Sequence, residues 1–287
     1  MKKAFKIILL SVVMSVFFSM TAFADMGSKP RVEIKLSNPP DELYYMDLLY
    51  FYDGDTNELY DSLDENREKY NQEMLDKLFT FTDENLYPAL AAGTSVPTWG
   101  NLIPDENGSN IYGYHGVPSE FKVIIVTESG EIKTTEMIQR KHMELSISLN
   151  YKDMSYTTQP VWKAYIGQFA ITCSLTLIVE FLILLLFRFN IKQNIKTFAF
   201  ANIFTQIVFT IAFSTMFINS GTFSTILFFY ILEFFVIIAE VCIYLLKFKG
   251  KSKGIIIAYT IVANVASAAL TFVNIDKLFD IMFSLIR

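Results

Sequence analysis

Residues 165–187 read YIGQFAITCSLTLIVEFLILLLF, with Glu180 as the single charged side chain. At 1.5 Å per residue, a run of ~20 apolar residues is what crosses a hydrocarbon layer ~30 Å thick. Three comparable stretches follow, at about 197–218, 225–246 and 254–274. Together they predict a four-helix transmembrane domain over residues 161–274. The connectors between them differ in charge. RFNIKQNIK carries Arg188, Lys192 and Lys196, and KFKGKSKG carries Lys247, Lys249, Lys251 and Lys253, whereas NSGTF (219–223) carries none. Short cytoplasmic loops retain Lys and Arg, so the two basic connectors are expected inside and the neutral one outside. Trp162 and Tyr165 stand where the first helix meets the outer interface.

The N-terminus predicts the same orientation. MKKAFK is basic, IILLSVVMSVFFSM is a short apolar core, and Ala22-Phe23-Ala24 is an A-x-A cleavage pattern. Residues 1–24 are therefore read as a signal peptide and 25–160 as an extracytoplasmic domain, with the protein in the cell membrane. That domain holds 24 of the 29 Asp and Glu but 11 of the 24 Lys and Arg, a net formal charge of −13, and all eight prolines. Such a field opposes nucleic acid or anionic lipid as a partner. Both cysteines, Cys173 and Cys242, lie in the apolar helices, so no disulfide staples the exported part.

Within it, RVEIKLS alternates apolar and polar residues as a half-buried strand does, and LYYMDLLYFY (43–52) is a second, aromatic-rich strand. From Asp61 the period changes: Leu63, Tyr70, Met74, Leu78 and Phe81 predict one helix through about Phe81, supported by Glu65–Lys69 and Glu73–Lys77 pairs. Residues 93–118 are rich in Gly and Pro and read as loop. FKVIIVT, the Ser129-Gly130 turn and EIKTTEMI form a hairpin, and MELSISLNY a further strand. The fold class is a membrane protein with an exported, strand-rich α+β or sandwich-like domain bearing one prominent helix, followed by a four-helix transmembrane bundle. Residues 275–287 are expected as an extracytoplasmic tail, lying on the outer surface or extending the last helix.

The segments ADMGSKPRVEIKL, LYYMDLLY, FKVIIV and ANIFTQIVF resemble those of a group of bacterial membrane proteins. These begin their mature part with Met-Gly-x-Lys-Pro, carry an exported domain and end in about four helices. The resemblance covers nearly the whole chain and implies an architecture, not a chemistry. It also implies a Ser/Thr/Gly-rich turn after the second strand, where this chain is acidic.

Three carboxylates fall inside the apolar stretches: Glu180, Glu233 and Glu240. A charged carboxylate at mid-membrane costs about 2.5–3.5 kcal/mol on insertion scales, so these groups are expected to face the bundle interior. Asn202, Gln206 and Asn264 offer amide partners. The cluster reads either as a proton or cation path or as hydrogen-bonded packing between helices. The helices carry no proline, and Gly167 and Gly221 are the only glycines between Tyr165 and Leu246. Broken helices that expose backbone to a substrate normally need such residues.

A second candidate is the loop DGDTNELYDSLD, which sets Asp53, Asp55, Asn57, Asp61 and Asp64 at the spacing of oxygen ligands around calcium. Glu58 stands where that loop needs glycine, and an Asp-Gly turn followed by a helix cap at Asp61 or Ser62 accounts for the same residues. His115 and His142 have no Cys or nucleophile-elbow partner. The sequence thus predicts no catalytic residues and no cofactor. It predicts a multipass protein whose acidic outer domain binds, senses or scaffolds through a membrane-protein partner or a second copy. The alternative is a small transporter or channel subunit using the intramembrane glutamates.

Overall fold

The computed structural model describes residues 29–286, apart from 56, 57, 62, 82 and 84, so the signal segment at 1–24 and Asn57 lie outside the described residues. The first part is strand-rich: β1 (Arg31–Ser37), β2 (Tyr44–Phe51), β3 (Leu86–Pro88), β4 (Trp99–Gly100), β5 (Ser109–Gly113), β6 (Glu120–Thr127), β7 (Ile132–Thr134), β8 (Ile138–Gln139), β9 (Glu144–Asn150) and β10 (Tyr156–Thr158), with one helix, α1 (Gln72–Phe79). One sheet runs β10-β9-β1-β5-β4, and the other β3-β2-β6-β7 with β8 also on β6. The alternation in RVEIKLS buries Val32, Ile34 and Leu36, and places β1 mid-sheet, parallel to β9 and antiparallel to β5. β2 is buried on both faces except at Phe51, so it reads as a continuous apolar run rather than an alternating one.

Both sheets share one core. Val32, Ile34, Tyr112 and Leu149 from the first join Tyr45, Leu48, Val123 and Ile125 from the second, and Met74, Leu75 and Leu78 of α1 pack into the same cluster. The Tyr112 hydroxyl donates to the Met46 carbonyl at 2.8 Å, tying sheet to sheet. Of the aromatic band, Tyr44, Tyr45 and Tyr50 are buried and Tyr52 is partly so.

The helix expected from Asp61 through Phe81 is two pieces, a 3₁₀ turn at Asp64–Lys69 and α1. Tyr70 and Asn71 are extended, and the Asn71 side chain accepts from the Glu73 and Met74 amides, so an N-cap restarts the helix inside the periodic stretch. Glu73 and Lys77 pair at 3.0 Å as expected. The Gly/Pro-rich stretch 93–118 contributes β4 and β5.

Among the described residues three helices, not four, are long and apolar enough to cross a membrane: α2 (Trp162–Leu186), α3 (Ile191–Lys247) and α4 (Lys253–Val273), with mean hydropathy 2.5, 2.5 and 1.9. The second and third expected helices are united in α3, whose 57 residues are helical except at Gly221, at φ 73° and ψ −174°. A straight helix would set Asn202 and Tyr244 about 63 Å apart. Instead the Asn202 amide donates to the Tyr244 hydroxyl at 2.8 Å, Thr205 meets Glu240, and the rings of Phe209 and Phe229 lie 5.9 Å apart. The segment therefore doubles back at Gly221 into two antiparallel limbs, a reversal that only glycine makes without strain.

The expected tail contains an amphipathic helix, α5 (Ile275–Ile286), which follows α4 after Asn274. It buries Leu278, Phe279 and Met282 beside Phe213 and Phe217, with Phe279 stacked on Phe217 at 5.0 Å. At one end of the helices the two basic connectors meet: Asn194 donates to the Lys249 carbonyl at 3.2 Å and accepts from its amide at 2.8 Å. At the other end the strand domain docks, the Met143 amide donating to the Ile218 carbonyl at 2.8 Å and His142 Nδ1 lying 3.3 Å from Asn219 Oδ1.

Candidate functional site

The helical part exposes many apolar side chains and, beside its apolar clusters, buries a large set of polar ones. Ile178, Leu182, Leu186, Phe200, Ile211 and Phe234 are exposed, whereas Gln168, Thr172, Thr176, Glu180, Asn202, Thr205, Gln206, Glu240, Thr260, Asn264 and Ser267 are buried. In water the hydrophobic effect would drive the opposite arrangement. In hydrocarbon the apolar residues face lipid, and the polar ones must find partners within the bundle.

Those partners centre on Glu240, which is 1% exposed. Thr205 Oγ1 donates to Oε1 at 2.8 Å and Asn264 Nδ2 to Oε2 at 2.8 Å, so both carboxyl oxygens are satisfied from the two neighbouring helical segments. Glu180, fully buried, accepts from Ser267 Oγ at 3.2 Å, while its Oε2 has no hydrogen-bond partner. Asn202 lies beside the Glu180 carboxyl and gives its amide to Tyr244 and to the Phe198 carbonyl. Its Oδ1 also has no partner. Glu180 Oε2 and Asn202 Oδ1 are thus buried acceptors without a hydrogen-bond partner, and the buried hydroxyl of Tyr259, within electrostatic reach of Glu180 and Glu240, has none either.

Gln206 belongs to a second chain of bonds nearer the strand domain. Gln168 donates to Thr172 at 3.0 Å, Thr172 to Gln206 at 3.2 Å, and Gln206 to Thr176 at 3.2 Å. Glu233 is half-buried and takes part in none of the bonds named. Its spacing of seven from Glu240 gives the same helix face, yet two turns along the limb that face is partly open, beside exposed Phe234 and Phe235. Cys173 is buried and Cys242 exposed.

Of the expected amide partners, Asn264 is bonded directly to Glu240 and Asn202 lies beside Glu180, whereas Gln206 bonds to Thr172 and Thr176 instead. Gln168, Thr172, Thr176, Thr205, Ser267, Tyr244 and Tyr259 were not anticipated. One signal was present: Gln168, Thr172, Thr176 and Glu180 recur every four residues, a polar stripe down one face of an otherwise apolar helix.

Of the acidic loop, Asn57 and the Asp64 side chain lie outside the described residues. Asp61 Oδ1 accepts from the Leu63 amide at 2.8 Å and Oδ2 pairs with Arg67 at 2.7 Å, so its carboxylate caps and anchors the 3₁₀ turn. Tyr52 donates to the Asp55 carbonyl at 3.2 Å. Among the described residues no group of three or more His, Cys, Asp or Glu side chains gathers as a metal site.

The strand domain has a buried carboxylate of its own. Asp47 on β2 is fully buried and accepts from the amides of Leu48 (2.7 Å), Leu90 (3.0 Å) and Ala91 (2.9 Å). Burial pushes it up to about 7, the three amide donors holding it back. Its geometry is that of an anchor for the 89–92 turn, not of a group open to substrate. Between this domain and the helices lies a cleft of about 490 Å³, lined among others by Lys141, His142, Glu144, Tyr156, Gln159 and Ile286. No known protein family, curated protein or solved structure matches this chain.

Proposed function

We propose that the chain is a multipass membrane protein whose α3 limbs each cross the bilayer, making four passes, and whose strand-rich domain stands outside the cytoplasm as a binding or scaffolding module. The loop charges support this sidedness. The two basic connectors form one end of the bundle and the domain docks on the other, so the positive-inside rule assigns the domain to the outer face. The helices act as a rigid platform that couples the domain to a membrane-protein partner or to a second copy.

The observation that carries the platform reading is the closure of the Glu240 site. Both carboxyl oxygens are bonded to neighbouring segments and the residue is sealed from solvent, an arrangement suited to holding helices in register. Interhelical hydrogen bonds of this kind contribute ~0.6 kcal/mol on average. A second reading rests on the two unpaired oxygens of Glu180 and Asn202. A proton on Glu180 would turn an unpaired acceptor into a donor, and the separate polar chain through Gln206 and Gln168 lies on the domain side of it. On that reading the chain is a proton-conducting or transporter subunit.

Proton flux into vesicles reconstituted with native, Glu240→Gln and Glu180→Gln protein separates the two, with thermal stability in detergent as the folding control. The platform reading expects no flux from any of them and folded variants, since an amide still hydrogen-bonds. Native flux lost in a stably folded Gln variant would overturn it.

A further inference from the structure

One row of Cα partners crosses the first sheet at right angles to its strands: Glu144, Arg31, Gly113 and Trp99, on β9, β1, β5 and β4 in turn. At its Glu144 end the row adjoins the bundle, because Met143 donates to Ile218 at the α3 reversal. With strands ~4.8 Å apart, Trp99 lies about 14 Å along the same rim, beyond the footprint of that contact. The segments at 94–98 and 114–119 leave the sheet at this same end, joined by the Gly116 amide donating to the Pro97 carbonyl at 2.9 Å.

What the rim presents there is unlike an ordinary polar loop. Trp99 is 63% exposed and Val96 42%. The Trp99 ring stacks face to face on Tyr114, with centroids 4.2 Å apart and planes 12° apart, and His115 meets Tyr114 edge-on at 4.8 Å. Tyr114 is held at φ 86°, where a bulky side chain is strained. Lys29 lies 5.7 Å over the same ring. Farther along the rim, Lys141 and His142 precede Met143, and the acidic Glu144 follows it. Trp162, in the first turn of α2, is 57% exposed near the junction end.

We infer that the Trp99–Tyr114 rim is a second membrane contact, seated in the headgroup region of the same leaflet from which α2 emerges. Trp and Tyr concentrate at that depth because an amphipathic ring satisfies both the apolar and the polar side of the boundary, and Lys29 and Lys141 put local positive charge on this rim of an otherwise acidic domain. The contact is continuous with the domain–bundle junction and rigidly related to it through the sheet. It fixes the tilt of the strand domain on the membrane, leaving its opposite rim as the face turned to soluble partners. This inference rests on the membrane-spanning reading above, and the test separates the two.

The chain has two tryptophans, so Trp162→Phe leaves Trp99 as the sole emitter. The full chain is reconstituted into bilayers of anionic phosphatidylglycerol, with and without lipids brominated close to the headgroup. A second variant combines Trp99→Phe and Trp162→Phe with Ile178→Trp, placing a reporter on the exposed face of α2. The expected result is that Trp99 emission is blue-shifted from that of water-exposed tryptophan and is quenched by the brominated lipid, while acrylamide quenches it weakly. Trp99 emission at the aqueous wavelength, quenched by acrylamide and untouched by bromine, overturns the inference if the α2 reporter is quenched. If the α2 reporter is itself unquenched by lipids brominated deep in the chains, the membrane-spanning reading falls and takes this contact with it.

Discussion

Asp47→Asn tests whether burial or hydrogen bonding governs the one carboxylate sealed within the strand domain. In the folded chain its acid value stands near 7 against 3.8 for the free group. An acid whose folded value is raised holds its proton longer when folded. Its contribution to stability is therefore fully present below about pH 4 and is lost as the pH rises through 7. At 1.36 kcal/mol per pH unit, a rise of roughly three units amounts to about 4 kcal/mol, a large share of the 5–15 kcal/mol typical of a domain. The Asn variant cannot titrate. It keeps one carbonyl oxygen for the Leu48 and Leu90 amides and sets an NH₂ against the Ala91 amide, a clash of two donors costing about 1–3 kcal/mol. Below pH 5 the protonated acid offers an equally awkward O–H, so the variant should nearly match the native chain. As the pH rises to 8 the native chain loses stability and the variant does not, and the difference between them moves in favour of the variant. Urea unfolding of full-length protein in detergent at pH 5 and pH 8, followed by far-UV circular dichroism, reads that difference. A difference that stays flat, or widens in favour of the native chain, would show that the three amides outweigh burial and that Asp47 is ionised throughout.

Gly221→Ala forces a side chain into a backbone region open essentially to glycine, and should lower stability in detergent by about 1–3 kcal/mol; an unchanged melt would mean that the α3 reversal lies elsewhere. Asn264→Leu removes the Oε2 donor from Glu240 and should destabilise the bundle, whereas Asn264→Gln should restore part of the loss; equal melts for both would dismiss the bond as a contributor. Single cysteines in place of Lys133 and Asp280 should react with an impermeant maleimide added to intact cells, and one in place of Lys251 should not; the reverse pattern inverts the proposed orientation. Millimolar calcium should leave the melting temperature unchanged, because Asp61 is committed to Leu63 and Arg67. A rise abolished by Asp55→Ala would reinstate the loop as a calcium site.

The parts legible in the sequence are those that a local period determines. β1, the β6–β7 hairpin and β9 follow from alternation and a Ser-Gly turn, and the apolar helices from run length. The division of the 61–81 helix was hidden because Tyr70 sits in phase with the apolar face, so the pattern continues through a break that the Asn71 cap imposes. NSGTF reads as a connector, yet the helical bonds persist up to and beyond it and Gly221 alone turns the chain. The sheet order was not legible at all, since pairing β1 with β9 depends on partners 113 residues apart and no local signal carries that information.

The polar site shows the same division between period and partner. A residue every four positions, Gln168, Thr172, Thr176 and Glu180, marks the inward face of α2 from sequence alone, because in lipid the buried face is the polar one. Which donor reaches which carboxylate depends on the register of the two α3 limbs, and that register is set by where the chain reverses. With the turn at Gly221, Thr205 falls opposite Glu240 and Asn202 opposite Tyr244. Moving the turn by one residue would rotate the second limb by about 100° and carry Glu240 from the bundle interior toward lipid, at the cost of an unpaired carboxyl in hydrocarbon. The buried glutamates therefore restrict the reversal to its place as much as the reversal positions them. Residues chosen for packing register and residues chosen for proton transfer would look alike in sequence here, and they part company at buried atoms where the hydrogen bonds run out, Glu180 Oε2 and Asn202 Oδ1 together with Gln168 Oε1 and the Tyr259 hydroxyl.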